Sequence, residues 1–237
     1  MNNFFSLGIL LSVIIIFSSN ANILLEKPST LSLEKYSEIF DDFKKIETVN
    51  NDFYNDSGDS FDKIPFETLL PDLFLKYLLG HTILEIGSGA GALAEWFVER
   101  GYQVTCLEPA QQLAMRAEVK GLSVIQTTIQ NFSTDQKFDN IVAISSLIHV
   151  PKTDLSNQIK KIAGLLNPTG LFVVSFIEGE DEGFEDPTNV GKVRYFAKWT
   201  KLELEQLSSP YFTPLENHRI YNKKMDRTFL LMVYRKK

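Results

Sequence analysis

The residues whose types and spacing most narrowly specify chemistry are Glu85-Ile86-Gly87-Ser88-Gly89-Ala90-Gly91. Glycines at alternate positions remove the Cβ atoms that would keep a ligand away from the backbone. Glu85 stands two residues before the first of them. Its carboxylate would repel a pyrophosphate and attract an ammonium group, so the ligand that fits is cationic and nucleoside-containing. Glu108, followed by Pro109, lies about twenty residues beyond the glycines, where a carboxylate accepts hydrogen bonds from ribose hydroxyls. His149 is the one side chain placed as a general base, since imidazole takes a proton from a hydroxyl or amine near neutral pH. An alternative role for it is structural, bonding the following loop and shaping a pocket. No Cys/His cluster has zinc spacing, and the single cysteine, Cys106, falls within an apolar strand pattern, so neither a metal nor a disulfide is expected.

Elements that would position these groups are legible on both sides of them. Residues 82–84 form a short apolar run before the glycines, and residues 92–100 carry a helical pattern after them. Further strands are predicted at 101–107, 122–126, 138–144 and 171–177, with a helix at 154–166 whose apolar positions recur at helical spacing. Asn167-Pro168-Thr169-Gly170 stops that helix. A short capped helix is expected over 200–208, then two strands at 212–221 and 228–235 joined by 222–226. Ligands of open α/β sheets bind outside the carboxyl ends of the strands, which brings Ser145, at the end of the fourth strand, to the same ligand as the glycine turn.

In three patches this pattern resembles class I S-adenosylmethionine (SAM) dependent methyltransferases. Glu85 to Gly91 matches the acid-x-Gly-x-Gly-x-Gly of their first motif. Ser145-Ser146-Leu147-Ile148-His149-Val150-Pro151 is similar to the serine-rich, His-containing segment of many small-molecule methyltransferases. Leu165-Leu166-Asn167-Pro168-Thr169-Gly170-Leu171 resembles the turn before their fifth strand. The resemblance implies a Rossmann-like three-layer α/β sandwich, a mostly parallel seven-stranded sheet ending in an antiparallel C-terminal hairpin. It implies SAM as methyl donor and a small-molecule acceptor. Glu85 would organise the amino-acid end of the cofactor, with Gly87, Ser88, Gly89, Gly91 and Ser145 around it and Glu108 and Pro109 at the ribose. The family usually places an acid where Thr128 stands, so the implied adenine contacts are Thr128 and the Ile129 N–H. Tyr54 corresponds to an aromatic that closes over the cofactor, and Arg194 and Tyr195 belong to a segment common before the last helix. Arg194 would neutralise nearby acidity or touch an anionic group of the substrate.

Gly87-Ser88-Gly89-Ala90-Gly91-Ala92 also satisfies the dinucleotide pattern G-x-G-x-x-A, so an NAD(P)-linked oxidoreductase is an alternative. Glu85 and the C-terminal hairpin disfavour it. A third reading is a non-catalytic, exported binding or scaffold protein of the same fold.

The chain has 237 residues, with 24 Lys and Arg against 30 Asp and Glu, a formal net charge of −6. Without a clustered basic face, a nucleic-acid backbone is not the expected partner. Residues 4–17 are an almost unbroken apolar run, closer in length to a signal-peptide core than to a bilayer span. We therefore expect a signal-peptide or anchor-like segment at 1–21, an N-terminal cap at 22–63 and the SAM-binding domain at 64–237. Export or a membrane tether through 4–17 conflicts with a cofactor made in the cytosol, so localisation is left open between them. Residues 31–47 show an amphipathic helical stripe, and 50–60 read as a polar loop holding Phe53 and Tyr54. The acidic run at 178–186 is either a solvated loop or a means of attracting a cationic acceptor.

Overall fold

The structure is a computed structural model, and it describes residues 43–56, 70–187, 192–223 and 225–237. The signal-like segment 1–21 and the first part of the amphipathic stripe, up to residue 42, lie outside the described residues.

Helix α1 (Phe43–Asp56) opens the described chain. A short helix, α2 (Leu70–Phe74), runs into a 3-10 turn at Leu75–Tyr77. Then come β1 (Thr82–Ile86), α3 (Ala92–Val98), β2 (Gln103–Leu107), α4 (Gln111–Val119), β3 (Ser123–Ile125) and β4 (Phe138–Ala143). A 3-10 turn at Leu147–His149 leads into α5 (Lys152–Leu165) and β5 (Leu166–Glu178). The chain closes with β6 (Glu182–Glu185), β7 (Arg194–Trp199), α6 (Lys201–Ser208), β8 (Phe212–Asn222) and β9 (Arg227–Lys236).

β3, β2, β1, β4 and β5 pair in that order, all parallel. β9 lies antiparallel against β5, and β8 antiparallel against β9. Those seven strands are the sheet expected from the sequence. Two more, β6 and β7, form an antiparallel hairpin joined to the end of β5 through Ile177↔Lys198 and Glu178↔Trp199. The acidic run is therefore partly strand, with Glu178 ending β5 and Glu182–Glu185 forming β6, while Glu180 and Asp181 between them are exposed. Glu182 accepts the Lys152 N–H at 2.8 Å, Glu185 pairs with Lys198 at 2.7 Å, Asp181 pairs with Lys198 at 2.9 Å, and Glu178 bonds Arg219.

The central strands read as continuous apolar runs because both of their faces are covered. One layer joins Leu84, Ile141, Phe172 and Met232 to α5 and the β7 residues Tyr195, Phe196 and Ala197. The other joins Ile83, Val142, Val173 and Leu231 to Leu93, Ala94 and Phe97 of α3 and to Phe74. Asp139 ties the entry of β1 to β4, accepting the N–H groups of His81 and Thr82 and the Asn167 amide at 2.8 Å. The predicted cap on α6 is a full capping box between Thr200 and Glu203. Cys106 is buried in β2 with a free thiol.

The predicted loop at 50–60 is helix as far as Asp56. Ile46, Asn50 and Phe53 fall on one helical face and are buried. Asn50 turns inward because its side-chain oxygen accepts the Tyr195 N–H at 2.9 Å. A polar residue that the sequence assigns to a loop is thus the pin holding α1 against β7.

Candidate active site

The glycine turn follows β1, and its first N–H groups are spent on β2. Gly87 and Ser88 donate to the Leu107 carbonyl at 2.7 and 3.1 Å, and Gly89 donates to Glu108 Oε2 at 2.7 Å. Glu108 Oε1 accepts the Ala110 N–H at 2.8 Å, so its carboxylate bridges the turn and the start of α4. The sequence implies a row of amides offered to a ligand; the structure instead leaves open space. A Cβ on Gly89 would meet nothing within 4 Å, and its φ of +57° lies in the left-handed region. Gly87 differs, because a Cβ there would lie 2.4 Å from Ser146 Cβ. Gly87 lets the segment after β4 approach, and Gly89 leaves room beside the turn.

Glu85 is 4 % exposed and accepts the Ala94 N–H in the first turn of α3, while its Oε2 is buried without a partner. Burial, and then the neighbouring Glu108 carboxylate, push Glu85 up to about 8. Burial pushes Glu108 up to about 7, against the stabilising N–H groups of Ala110 and Gly89. Two adjacent buried acids, one with an orphaned oxygen, beside an open cradle are suited to a cationic ligand with hydroxyls. Glu85 acts from behind the turn, whereas Glu108 stands at its rim. The residues fit SAM: Gly89 leaves room for it, Glu108 would meet its ribose hydroxyls, and the two acids would favour its positive charge. Ser88 turns toward Cys106, so its side chain supports the turn from within. Pro109 follows Glu108 and offers its carbonyl to Gln126 at 3.4 Å.

On the adenine side, Ile129 buries its side chain in the core, leaving only its backbone for a ligand. Thr128 uses its carbonyl to accept the N–H groups of Asn131 and Phe132. Glu47 of α1 approaches the Thr128 side chain, and burial raises its carboxyl above the usual range. Glu47 thus brings a carboxylate beside Thr128 from another element, which no local motif foretells. Ser145, two residues past β4, has φ at +53°, a strained value for a residue with a side chain, and donates its N–H to Ser175 Oγ at 2.8 Å.

On the acceptor side, the Tyr54 hydroxyl lies 2.7 Å from His149 Nε2, and His149 Nδ1 lies 2.6 Å from the Tyr195 carbonyl oxygen. A carbonyl only accepts, so Nδ1 carries the proton and Nε2 accepts from Tyr54. Burial holds His149 down to about 4, opposed by the Tyr195 carbonyl and aided by the charge of Arg194, so the ring is neutral at physiological pH. Tyr54 packs on Ala90, Ala110 and Leu113, next to the glycine turn, and thus stands between cradle and histidine. Arg194 donates to the Tyr54 hydroxyl at 3.3 Å. The Tyr195 side chain faces elsewhere, its hydroxyl donating to Glu182, and this residue serves the site through its backbone. The Asn50 pin and the Tyr54–His149 bond of α1 went unseen in the sequence because their partners lie 145 and 95 positions away.

Among the described residues no group of His, Cys, Asp and Glu could hold a metal ion, and no helix is long and apolar enough to cross a membrane.

Residues 83–170 match the methyltransferase domain family. A ubiquinone biosynthesis O-methyltransferase from Bradyrhizobium sp. (strain ORS 278) is 34 % identical over 116 residues, covering 46 % of this chain and 45 % of that protein. An uncharacterized methyltransferase from Staphylococcus carnosus is 28 % identical, covering 57 % of this chain and 64 % of its own length. The chain therefore spans less than two thirds of these relatives. Among solved structures, the Burkholderia thailandensis 1,6-didemethyltoxoflavin-N1-methyltransferase with bound S-adenosylhomocysteine (SAH) shares the fold with a TM-score of 0.58 at 20 % identity, covering 87 % of each chain. Magnesium protoporphyrin IX methyltransferase from Synechocystis PCC 6803 with bound SAM gives 0.61 at 13 % identity, covering 81 % of this chain and 97 % of that one. Strand order, glycine turn, paired acids and sequence match agree: residues 83–170 carry a methyltransferase domain on the fold of class I SAM-dependent methyltransferases.

Proposed function

We propose that this protein transfers a methyl group from SAM to a hydroxyl of a small organic acceptor, with Tyr54 and His149 removing the acceptor's proton. The observation that carries this reading is the hydrogen bond between the Tyr54 hydroxyl and His149 Nε2, 2.7 Å long, with Nδ1 fixed by the Tyr195 carbonyl. Support for oxygen as the methylated atom comes from the O-methyltransferase relatives.

Bound SAM supplies an electrophilic methyl on a sulfonium whose thioether leaves readily, so the protein contributes alignment and proton removal. Both nitrogens of His149 are engaged, and the imidazole therefore reaches the acceptor only through Tyr54. The Tyr54 oxygen accepts the acceptor's proton while its own proton passes to Nε2. Arg194, donating to the same oxygen, stabilises the negative charge that builds there. His149 ends as an imidazolium, so the positive charge lost by the donor reappears on the ring. Burial and Arg194 disfavour that imidazolium, so the ring is a weak base that takes the proton only as the methyl is transferred.

The test is transfer of radiolabelled methyl from SAM into a panel of small phenols, enols and amines. Incorporation into hydroxyl compounds that falls in Tyr54→Phe and His149→Ala, with SAM affinity retained, is the expected result. Transfer to amines alone, or unchanged turnover in both variants, would refute it.

A further inference from the structure

Resting on the methyltransferase reading, we infer that Arg194 is an anion-recognition residue of the acceptor subsite and that the acceptor carries a carboxylate.

Arg194 is 5 % exposed, and among the described residues no carboxylate forms an ion pair with it. Register makes this notable, because Glu185 is its direct cross-strand partner in the β6–β7 hairpin. Glu185 instead pairs with Lys198 at 2.7 Å and with Arg227. The counterion that the hairpin could have provided is held by two other cations.

What surrounds the guanidinium is aromatic. Its Cζ lies 4.1 Å from the Phe53 ring centroid, 5.0 Å from that of Phe196 and 5.6 Å from that of Tyr54. Ring faces attract a cation but satisfy none of its N–H groups in the guanidinium plane. One N–H donates to the Tyr54 hydroxyl at 3.3 Å, and Nε is buried without a partner. A buried charge left with unspent donors is costly unless an anion meets it. A carboxylate matches a planar fork of donors bidentately, as a neutral amide does not.

Location assigns the anion to the acceptor. Arg194 opens β7 beyond the end of β5 and reaches the Tyr54–His149 pair, while the glycine turn and Glu108 follow β1 and β2. The carboxylate of the cofactor's amino-acid end has the same chemistry, so the experiment separates the two sources.

Binding is measured calorimetrically on the full chain, first for SAM and SAH alone. The probes are then 3,4-dihydroxybenzoate and 3,4-dihydroxybenzamide, each titrated into the SAH complex. Wild type should bind the acid roughly tenfold or more tightly than the amide. Arg194→Gln should erase that preference and leave SAM affinity unchanged, and Arg194→Lys, which keeps the charge without the fork, should restore part of it. Equal affinity for acid and amide, or binding of neither by wild type, overturns the proposal. Loss of SAM affinity in Arg194→Gln, with wild-type circular dichroism, would reassign the guanidinium to the cofactor and also overturn it. Failure of wild type to bind SAM or SAH would instead sink the methyltransferase reading itself.

Discussion

Replacing Gly89 by alanine separates the cradle's role in ligand binding from its role in folding. Gly89 has φ +57°, and a Cβ there meets nothing within 4 Å. The same two statements hold for Gly101, φ +86°, and Gly121, φ +81°, which lie in turns away from the site. A side chain in the left-handed region costs about 1–2 kcal/mol, and no clash adds to it at any of the three. Each Gly→Ala variant should therefore lose a similar amount of stability, a fall in Tm of roughly 2–8 °C for a chain of this size. Only at Gly89 does the new methyl group enter space that the account gives to SAM. We expect Gly89→Ala to weaken SAM binding by about ten- to a hundredfold, or roughly 1.4–2.8 kcal/mol, with Gly101→Ala and Gly121→Ala binding as wild type. Calorimetric titration with SAM, next to thermal melts without ligand, reads both quantities on the same samples. Wild-type affinity in Gly89→Ala would refute the cradle, and equal loss in Gly101→Ala would show that binding reports general stability.

Other expectations follow from the same geometry. Tyr54→Phe should lower kcat by about tenfold to a hundredfold at saturating SAM without changing SAM affinity; a variant with full turnover removes Tyr54 from proton transfer. Because burial holds His149 at about 4, its neutral form persists above that value. A profile of kcat at saturating SAM should then show no titration near the ordinary histidine value, and a limb there would contradict the Tyr54–His149 pairing. Glu85 has a folded pKa, about 8, raised above the usual 4.5, so its contribution to stability is full at low pH and is lost as pH rises through the folded value. The ligand-free melting temperature should fall across that window, and Glu85→Gln, which keeps an acceptor for the Ala94 N–H, should flatten the decline. Asp139→Ala leaves the N–H groups of His81 and Thr82 and the Asn167 amide without their acceptor, and should destabilise the fold by about 1–3 kcal/mol in denaturant melts.

The sequence and the structure agree where information is local. The glycine turn, β1, β2, β4 and β5 are continuous patterns, and the Thr200–Glu203 cap is written in four consecutive positions. The residues proposed for the cofactor could be picked out for that reason, since Glu85, the glycines and Glu108 belong to one βαβ unit. The site's acceptor half was read only in part. His149 was identifiable as a base, but its dependence on Tyr54 rests on a bond between residues 95 positions apart. Asn50 looked like a loop residue because its partner, the Tyr195 N–H, is 145 positions away. The run of acids from 178 looked solvated for the same reason: Lys152, Arg219 and Arg227 come from distant elements. Arg194 showed its charge in the sequence but not its burial, which depends on Phe53 and Tyr54 of α1 arriving over β7.

The central claim is that the space over Gly89, bounded by Glu108, binds the methyl donor. Thermal melts of the full chain with SAM, SAH, NAD and NADP in parallel test it most directly. Ligand at a hundredfold over its dissociation constant adds about 2.7 kcal/mol, a rise of roughly 5–10 °C here. The account predicts that rise with SAM and SAH, its absence with both dinucleotides, and its reduction by about half or more in Gly89→Ala. A rise with NAD or NADP instead, or none with any of the four, would contradict it.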